Sequence, residues 1–278
     1  MSDAIVWNGR TQAEHDAAYN NLAAVAKSSE WVAQWTAQSA ARRAIHPTEL
    51  DIAYGPGPRN RFDVLRCGKR GAPLVVFIHG GWWQRNSKEM FTCMAEGPLG
   101  QGLDFALIGY TLAPEARLTD IAGEIRSGLS AIAAYQSARG LSQTLVLSGW
   151  SAGGHLAALC LDHPAVSAGL SISGVFDLEP IRHTYINDKL GLDAAEAAAQ
   201  SPSKLPLSEK PLLLAYGTAE LPDMQAQSVA FAQMRGSAGL PGGPLPIPGA
   251  DHFSIFEAVR SVDGELSQGL ARLAAGTF

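Results

Sequence analysis

The run Leu145-Val-Leu-Ser-Gly149-Trp150-Ser151-Ala152-Gly153-Gly154-His155 sets a serine in a G-x-S-x-G frame, with an apolar strand before it and a small-residue helix start behind it. Such a turn is too tight for side chains at the flanking glycines. It lifts the serine hydroxyl above the carboxyl edge of a sheet, at a helix N-terminus. The chemistry this suits is nucleophilic attack on an acyl carbon. A serine hydroxyl is a poor nucleophile near neutral pH, so it needs a general base, and the attacked carbonyl needs donors for its developing negative charge.

Both requirements have candidates. Leu74-Val-Val-Phe-Ile-His79-Gly80-Gly81-Trp82-Trp83 reads as a strand followed by an H-G-G loop, so an oxyanion hole is expected from the amides of Gly81, Trp82 and Ala152. His79 is expected to fix this loop by hydrogen bonding rather than to act as a base. In chains that carry a serine elbow on a doubly wound sheet, the order is serine, acid, histidine. His15 and His46 lie near the N-terminus, His155 opens the helix behind Ser151, and His163 and His183 precede the last strand expected. His252, in Pro248-Gly-Ala-Asp251-His252-Phe253, is therefore the expected base. For the acid, Glu220 and Asp223 both follow the apolar run ending at Tyr216. Glu220 suits a strand-end loop and Asp223, after Pro222, a helix N-cap. Asp251, adjacent to His252, reads as a turn residue.

These groups need a rigid frame. Short, unalternating apolar runs at 74–78, 104–109, 145–148, 169–173 and 212–216 suit strands buried on both faces of a parallel sheet. Helical spacing at 118–139 and 152–161 between them predicts a doubly wound α/β architecture. Tyr54-Gly-Pro-Gly-Pro58 must turn, 61–66 reads as a strand, and the Gly- and Pro-rich stretch 236–249 reads as one long surface loop. Residues 12–44 are Ala-rich with helical patterning, and Trp31 and Trp35 are spaced i, i+4. They form a helical arm that either caps the site or makes a homodimer contact, an exposed Trp31/Trp35 face favouring the contact. The expected organisation is a single domain over 1–278, with 1–48 as arm and 49–278 as catalytic core.

The 278 residues carry a net charge of −5, and no Lys/Arg run could track phosphates or anionic lipid. Nucleic-acid and membrane partners are thus not expected, and a small-molecule substrate is. Three cysteines without C-x-x-C spacing suggest neither disulfides nor a zinc site, and the acyl-transfer set needs no metal or organic cofactor. The polar N-terminus and the lack of an apolar run of about 18 residues lead to the expectation of a cytoplasmic protein.

With these residues located, the pattern resembles the arylformamidase (kynurenine formamidase) branch of the α/β-hydrolases, related to the hormone-sensitive-lipase-like esterases. That branch has H-G-G-x-W where the esterases have H-G-G-G, and this chain has His79-Gly80-Gly81-Trp82-Trp83. Tyr110-Thr-Leu-Ala-Pro114 is similar to the family's Y-x-L-A-P, Asp177 follows the strand after the elbow helix, and Asp251-His252-Phe253 resembles D-H-F/Y. Gly217-Thr-Ala-Glu220-Leu-Pro222-Asp223-Met-Gln-Ala-Gln227-Ser228 looks like G-x-x-D/E-x-P-E-F-x-x-Q-S. In that pattern the first acidic residue is the triad acid, which implies Glu220. Asp223-Met224 replaces the usual Glu-Phe and the acid is Glu rather than the commoner Asp, departures that bear on substrate more than on mechanism. The resemblance covers about residues 50 to 260. It implies an α/β-hydrolase fold and hydrolysis of an N-formyl arylamine, such as N-formyl-L-kynurenine, to formate and the free amine.

The substrate pocket is expected among Trp82, Trp83, Tyr110, Tyr185 and Phe253, which flank the catalytic segments. Lys88, Arg117 and Arg182 could pair with a substrate carboxylate, although a solvated surface role is expected for each. Two other readings stay open: a carboxylesterase for small acyl or aryl esters, which uses the same residues, and a hydrolase-fold binding protein that has lost turnover.

Overall fold

A computed structural model describes residues 4–45 and 48–277. His46 lies outside the described residues. Eight strands form one sheet: β3 (Thr48–Ala53), β4 (Arg61–Leu65), β5 (Leu74–Ile78), β6 (Asp104–Ile108), β7 (Leu145–Trp150), β8 (Ala168–Ile172), β9 (Leu212–Gly217) and β10 (Gly242–Ile247), in the order β10-β9-β8-β7-β5-β6-β4-β3. The run from β10 to β6 is parallel. Among the described residues, the antiparallel pairings of this sheet are β6 with β4 and β4 with β3. This is the α/β-hydrolase architecture expected. The chain reverses between β3 and β4 at the Gly-Pro-Gly-Pro turn, where Arg61 Nη1 donates to the carbonyls of Gly55 and Gly57.

The apolar runs of β5, β6 and β8 are buried at every position because helices cover both faces. Along β5 the side chains alternate between two cores. Leu74, Val76 and Ile78 point into the one that holds the helices Leu118–Ala138, Ala152–Leu159 and Pro222–Ser237, whereas Val75 and Phe77 point into the one that holds Glu265–Ala275.

The stretch 236–249, expected as a loop, instead contains β10, paired in parallel with β9 through Pro244 opposite Leu214 and Pro246 opposite Tyr216. Pro cannot donate to a ladder, but β10 is an edge strand with one side unpaired, the place in a sheet where Pro is tolerated.

The arm begins with a two-stranded hairpin, β1 (Ile5–Trp7) and β2 (Arg10–Thr11), then α1 (Gln12–Tyr19), α2 (Asn21–Ala24) and α3 (Ser28–Ile45). Thr11 caps α1 in a capping box with Glu14. Trp35 of α3 is 1% exposed and packs among Phe91, Trp150, Phe253 and Phe256, at ring separations of 6.0, 5.7, 6.0 and 4.7 Å. The Trp31/Trp35 face therefore turns inward onto the second core, not outward to solvent. At its other end the arm is pinned by Trp7 stacked on His183 and by Arg10 paired with Asp223 at 2.6 Å. Among the described residues no helix is long and apolar enough to cross a membrane.

Candidate active site

β7 runs into the helix Ala152–Leu159 through one residue, Ser151, held at φ 56° and ψ −118°. Positive φ in a residue other than glycine costs about 1–3 kcal/mol and persists only where the surroundings impose it. They do so here. A Cβ on Gly149 would lie 2.2 Å from the Gly153 carbonyl oxygen, and one on Gly153 would lie 2.0 Å from that of Ile78, so the turn closes only with glycine at both places. Ser151 N–H donates to Ile172 O at 2.8 Å and so ties the elbow to β8.

The H-G-G loop lies directly against this turn, since a Cβ on Gly80 would come 2.7 Å from Trp150 O and 3.0 Å from the Ser151 Cβ. Gly81, Trp82 and Trp83 all have positive φ, which turns three successive peptides into a tight coil. His79 Nδ1–H donates to Gly80 O at 2.9 Å, Asn86 Nδ2 donates to the same oxygen at 3.1 Å, and Tyr110 Oη–H donates to His79 O at 3.0 Å. Burial holds His79 well below its ordinary value, at about 4, so its ring is neutral. It is a loop brace, as expected. The first amides of the helix Ala152–Leu159 have no intrahelical acceptors.

His252 Nδ1 meets Glu220 Oε2 at 2.8 Å. Because a carboxylate only accepts, Nδ1 carries the proton in this contact, which in the neutral ring leaves the lone pair on Nε2. The other carboxylate oxygen accepts from Ser173 Oγ at 2.7 Å and from Gly217 N–H at 2.6 Å, which locks Glu220 in a 5% exposed position. Asp223 lies in the first turn of the next helix, paired with Arg10, and Asp251 accepts from the amides of Phe253 and Ser254 as a turn residue does. Trp150, the variable residue of the elbow, donates its indole N–H to His252 O at 2.9 Å. Sequence reasoning missed both Ser173 and Trp150, since neither has a local signature beyond its place beside a motif.

Ser151 and His252 line one cavity of about 380 Å³ together with Gly81, Trp82, Trp150 and Phe253. Its opposite wall comes from the arm: Asn21, Leu22, Ser29, Val32 and Ala33. Of the five expected pocket aromatics, Trp82 and Phe253 are therefore at the wall. Trp83 and Tyr110 are not, being fully buried beneath the loop, Trp83 edge-on to His155 and Tyr110 stacked on His79 at 4.3 Å. Tyr185 is 38% exposed and outside this lining, with its backbone N–H bonded to Asp16. None of the three cations considered for a substrate carboxylate is available. Lys88 is buried against Asp63 and Asp51 rather than solvated, Arg117 pairs with Glu196, and Arg182 with Glu179.

Comparison with known proteins places this geometry in a family. A BD-FAE family model matches residues 65–169. The chain is 31% identical to the kynurenine formamidase of Salmo salar over 249 residues, covering 83% of each chain, and 30% identical to that of Danio rerio, covering 77% of this chain and 78% of the relative. A candidate thioesterase from Silicibacter sp. TM1040 superposes with a TM-score of 0.84 at 28% identity, covering 92% of this chain and 98% of that one. By its likeness to the fish enzymes over four-fifths of its length, the chain belongs to the kynurenine formamidase family of α/β-hydrolases.

Proposed function

We propose that the protein hydrolyses aryl formamides of the N-formyl-L-kynurenine type through a formyl-enzyme. The observation that carries this reading is the His252–Glu220 contact at 2.8 Å, with the imidazole and Ser151 on the wall of one cavity. His252 Nε2 takes the Ser151 proton as Oγ bonds to the formyl carbon. The carbonyl oxygen gains the negative charge and is met by the amides of Gly81, Trp82 and Ala152, each such donor lowering the barrier by about 3–4 kcal/mol. The imidazolium, steadied by Glu220, gives its proton to the arylamine nitrogen, and the C–N bond breaks. Water then adds to the formyl ester, losing one proton to His252, and Ser151 Oγ leaves with that proton as formic acid is released and ionises to formate in solution.

The test is formate release from N-formyl-L-kynurenine by wild type and Ser151→Ala, with p-nitrophenyl acetate alongside. Wild type is expected to reach a kcat/KM of about 10⁴ M⁻¹s⁻¹ or more on the formamide. Ser151→Ala should lose all turnover, and normal turnover in that variant would remove the mechanism. Ester cleavage uses the same atoms, and the Silicibacter neighbour is a candidate thioesterase. A strong preference for the ester in this assay would make carboxylesterase the better description.

A further inference from the structure

Among the described residues, one side chain besides His252 that can carry charge lines the Ser151 cavity, and it is Arg85. The arginines elsewhere that approach an acid are neutralised by it: Arg10 by Asp223, Arg43 by Asp63, Arg66 by Asp104, Arg126 by Asp162 and Arg260 by Glu96. Arg85 differs, for among the described residues its guanidinium makes no hydrogen bond or ion pair. Its position is fixed by the oxyanion loop. A Cβ on Gly81 would lie 2.5 Å from Arg85 O and 2.9 Å from Arg85 Cγ, so the arginine stem rises directly beside the Gly81 peptide. The rest of the wall is mostly apolar, with Leu22, Val32, Ala33, Trp82, Trp150 and Phe253. Arg85 lines the cavity while remaining exposed to solvent, and desolvation by the groups around it lowers the guanidinium below its ordinary value, with Tyr185 opposing the shift. On the arm side, the Asn21 carboxamide is 4% exposed, and neither of its polar atoms has a partner among the described residues.

We infer that Arg85 is a specificity residue that selects substrates bearing a carboxylate, and that Asn21 offers a second donor to the same group. An unpaired cation beside an apolar cavity is complementary to an aromatic or aliphatic body that ends in an anion. The guanidinium fork matches a carboxylate in two parallel hydrogen bonds. The assignment deepens the hydrolytic reading of this cavity and rests on it. It does not depend on whether the scissile bond is a formamide or an ester.

The experiment compares 4-nitrophenyl acetate with 3-carboxy-4-nitrophenyl acetate for wild type, Arg85→Gln and Arg85→Lys. Arg85→Gln is expected to lower kcat/KM for the carboxylated ester about 10- to 100-fold, mainly through KM, and to leave the neutral ester within about twofold. Arg85→Lys should restore part of the loss, and 0.5 M salt, at which the screening length falls below roughly 5 Å, should shrink the wild-type preference. Equal losses on both esters would assign Arg85 to the chemical step instead, and no loss on the anionic ester would overturn the proposal. If neither ester is turned over, calorimetric titration of Ser151→Ala with benzoate and benzamide gives the same answer: binding of benzoate that is no tighter than that of benzamide overturns it. A wild type that ignores formamides while sorting esters by charge would remove the formamidase reading and leave Arg85 in place.

Discussion

At the scale of single residues, the candidate acid is held as firmly as the candidate base. Glu220 has one oxygen on His252 and the other on Ser173 and Gly217, so its position does not depend on the imidazole alone. Glu220→Gln keeps the shape but offers an amide where Nδ1–H needs an acceptor, and kcat is expected to fall by about 10⁴-fold through the wrong tautomer. Ser173→Ala removes one donor and keeps the Gly217 amide, so a smaller loss of about 10- to 100-fold in kcat is expected. Steady-state kinetics of the two variants at one pH checks the ranking, and an Ser173→Ala enzyme as slow as Glu220→Gln would contradict it. Ser151 and His252 were legible as candidates through short motifs in the chain order of this fold, and Glu220 through the family resemblance that prefers it to Asp223. Ser173 was not, because a serine at a strand end looks ordinary and its partner is 47 residues away. Trp83 and Tyr110 misled for a related reason: an aromatic beside a motif can point to either side of the loop, and these two point down into the core.

The elements divide between those with a periodic signal and those defined by their neighbours. The central parallel strands stood out because continuous apolar runs are needed where both faces are covered. β10 was hidden, since its Gly-Gly-Pro-Leu-Pro sequence is strand only by virtue of the β9 edge beside it. The arm was legible as helix, but its choice between cap and contact depended on where Trp31 and Trp35 point. The structure has it as the far wall of the cavity, anchored by Trp35 in an aromatic nest shared with Trp150 and Phe253. Trp35→Ala is expected to cost about 3–5 kcal/mol in denaturant unfolding. The same change should raise KM for aryl substrates more than it lowers kcat, because the wall loosens while Glu220 and His252 keep their contact. A kcat loss with KM unchanged would show that α3 positions the chemistry rather than the substrate.

At the scale of the whole molecule, two buried imidazoles link stability to pH. Burial lowers both His79 and His155 to about 4, so between about pH 6.5 and 4 the unfolded chain binds protons that the folded chain refuses. Stability is thus intact above pH 6.5 and falls as pH drops toward 4, by up to about 3 kcal/mol for each ring. Carboxylates contribute lower down. Glu89 is held at about 2 by hydrogen bonds to Lys88 and Ser87 against the effect of its burial, so its stabilising contribution is full above its ordinary 4.5 and is lost as pH falls from there to about 2. Urea midpoints at pH 7, 5.5 and 4.5 check the imidazole window, and His155→Phe should flatten the slope there. An unchanged midpoint across those three values would exclude it.

The aromatic nest around Trp35 also has a direction in time. Its four walls come from residues 91, 150, 253 and 256, all of which follow Trp35 in the chain and therefore leave a ribosome after it. The arm must then wait, apolar face uncovered, until Phe253 and Phe256 have emerged before the nest can close around it. The helices of the arm are made before the elements they dock on, and the cavity acquires its far wall only after Phe256 has been made.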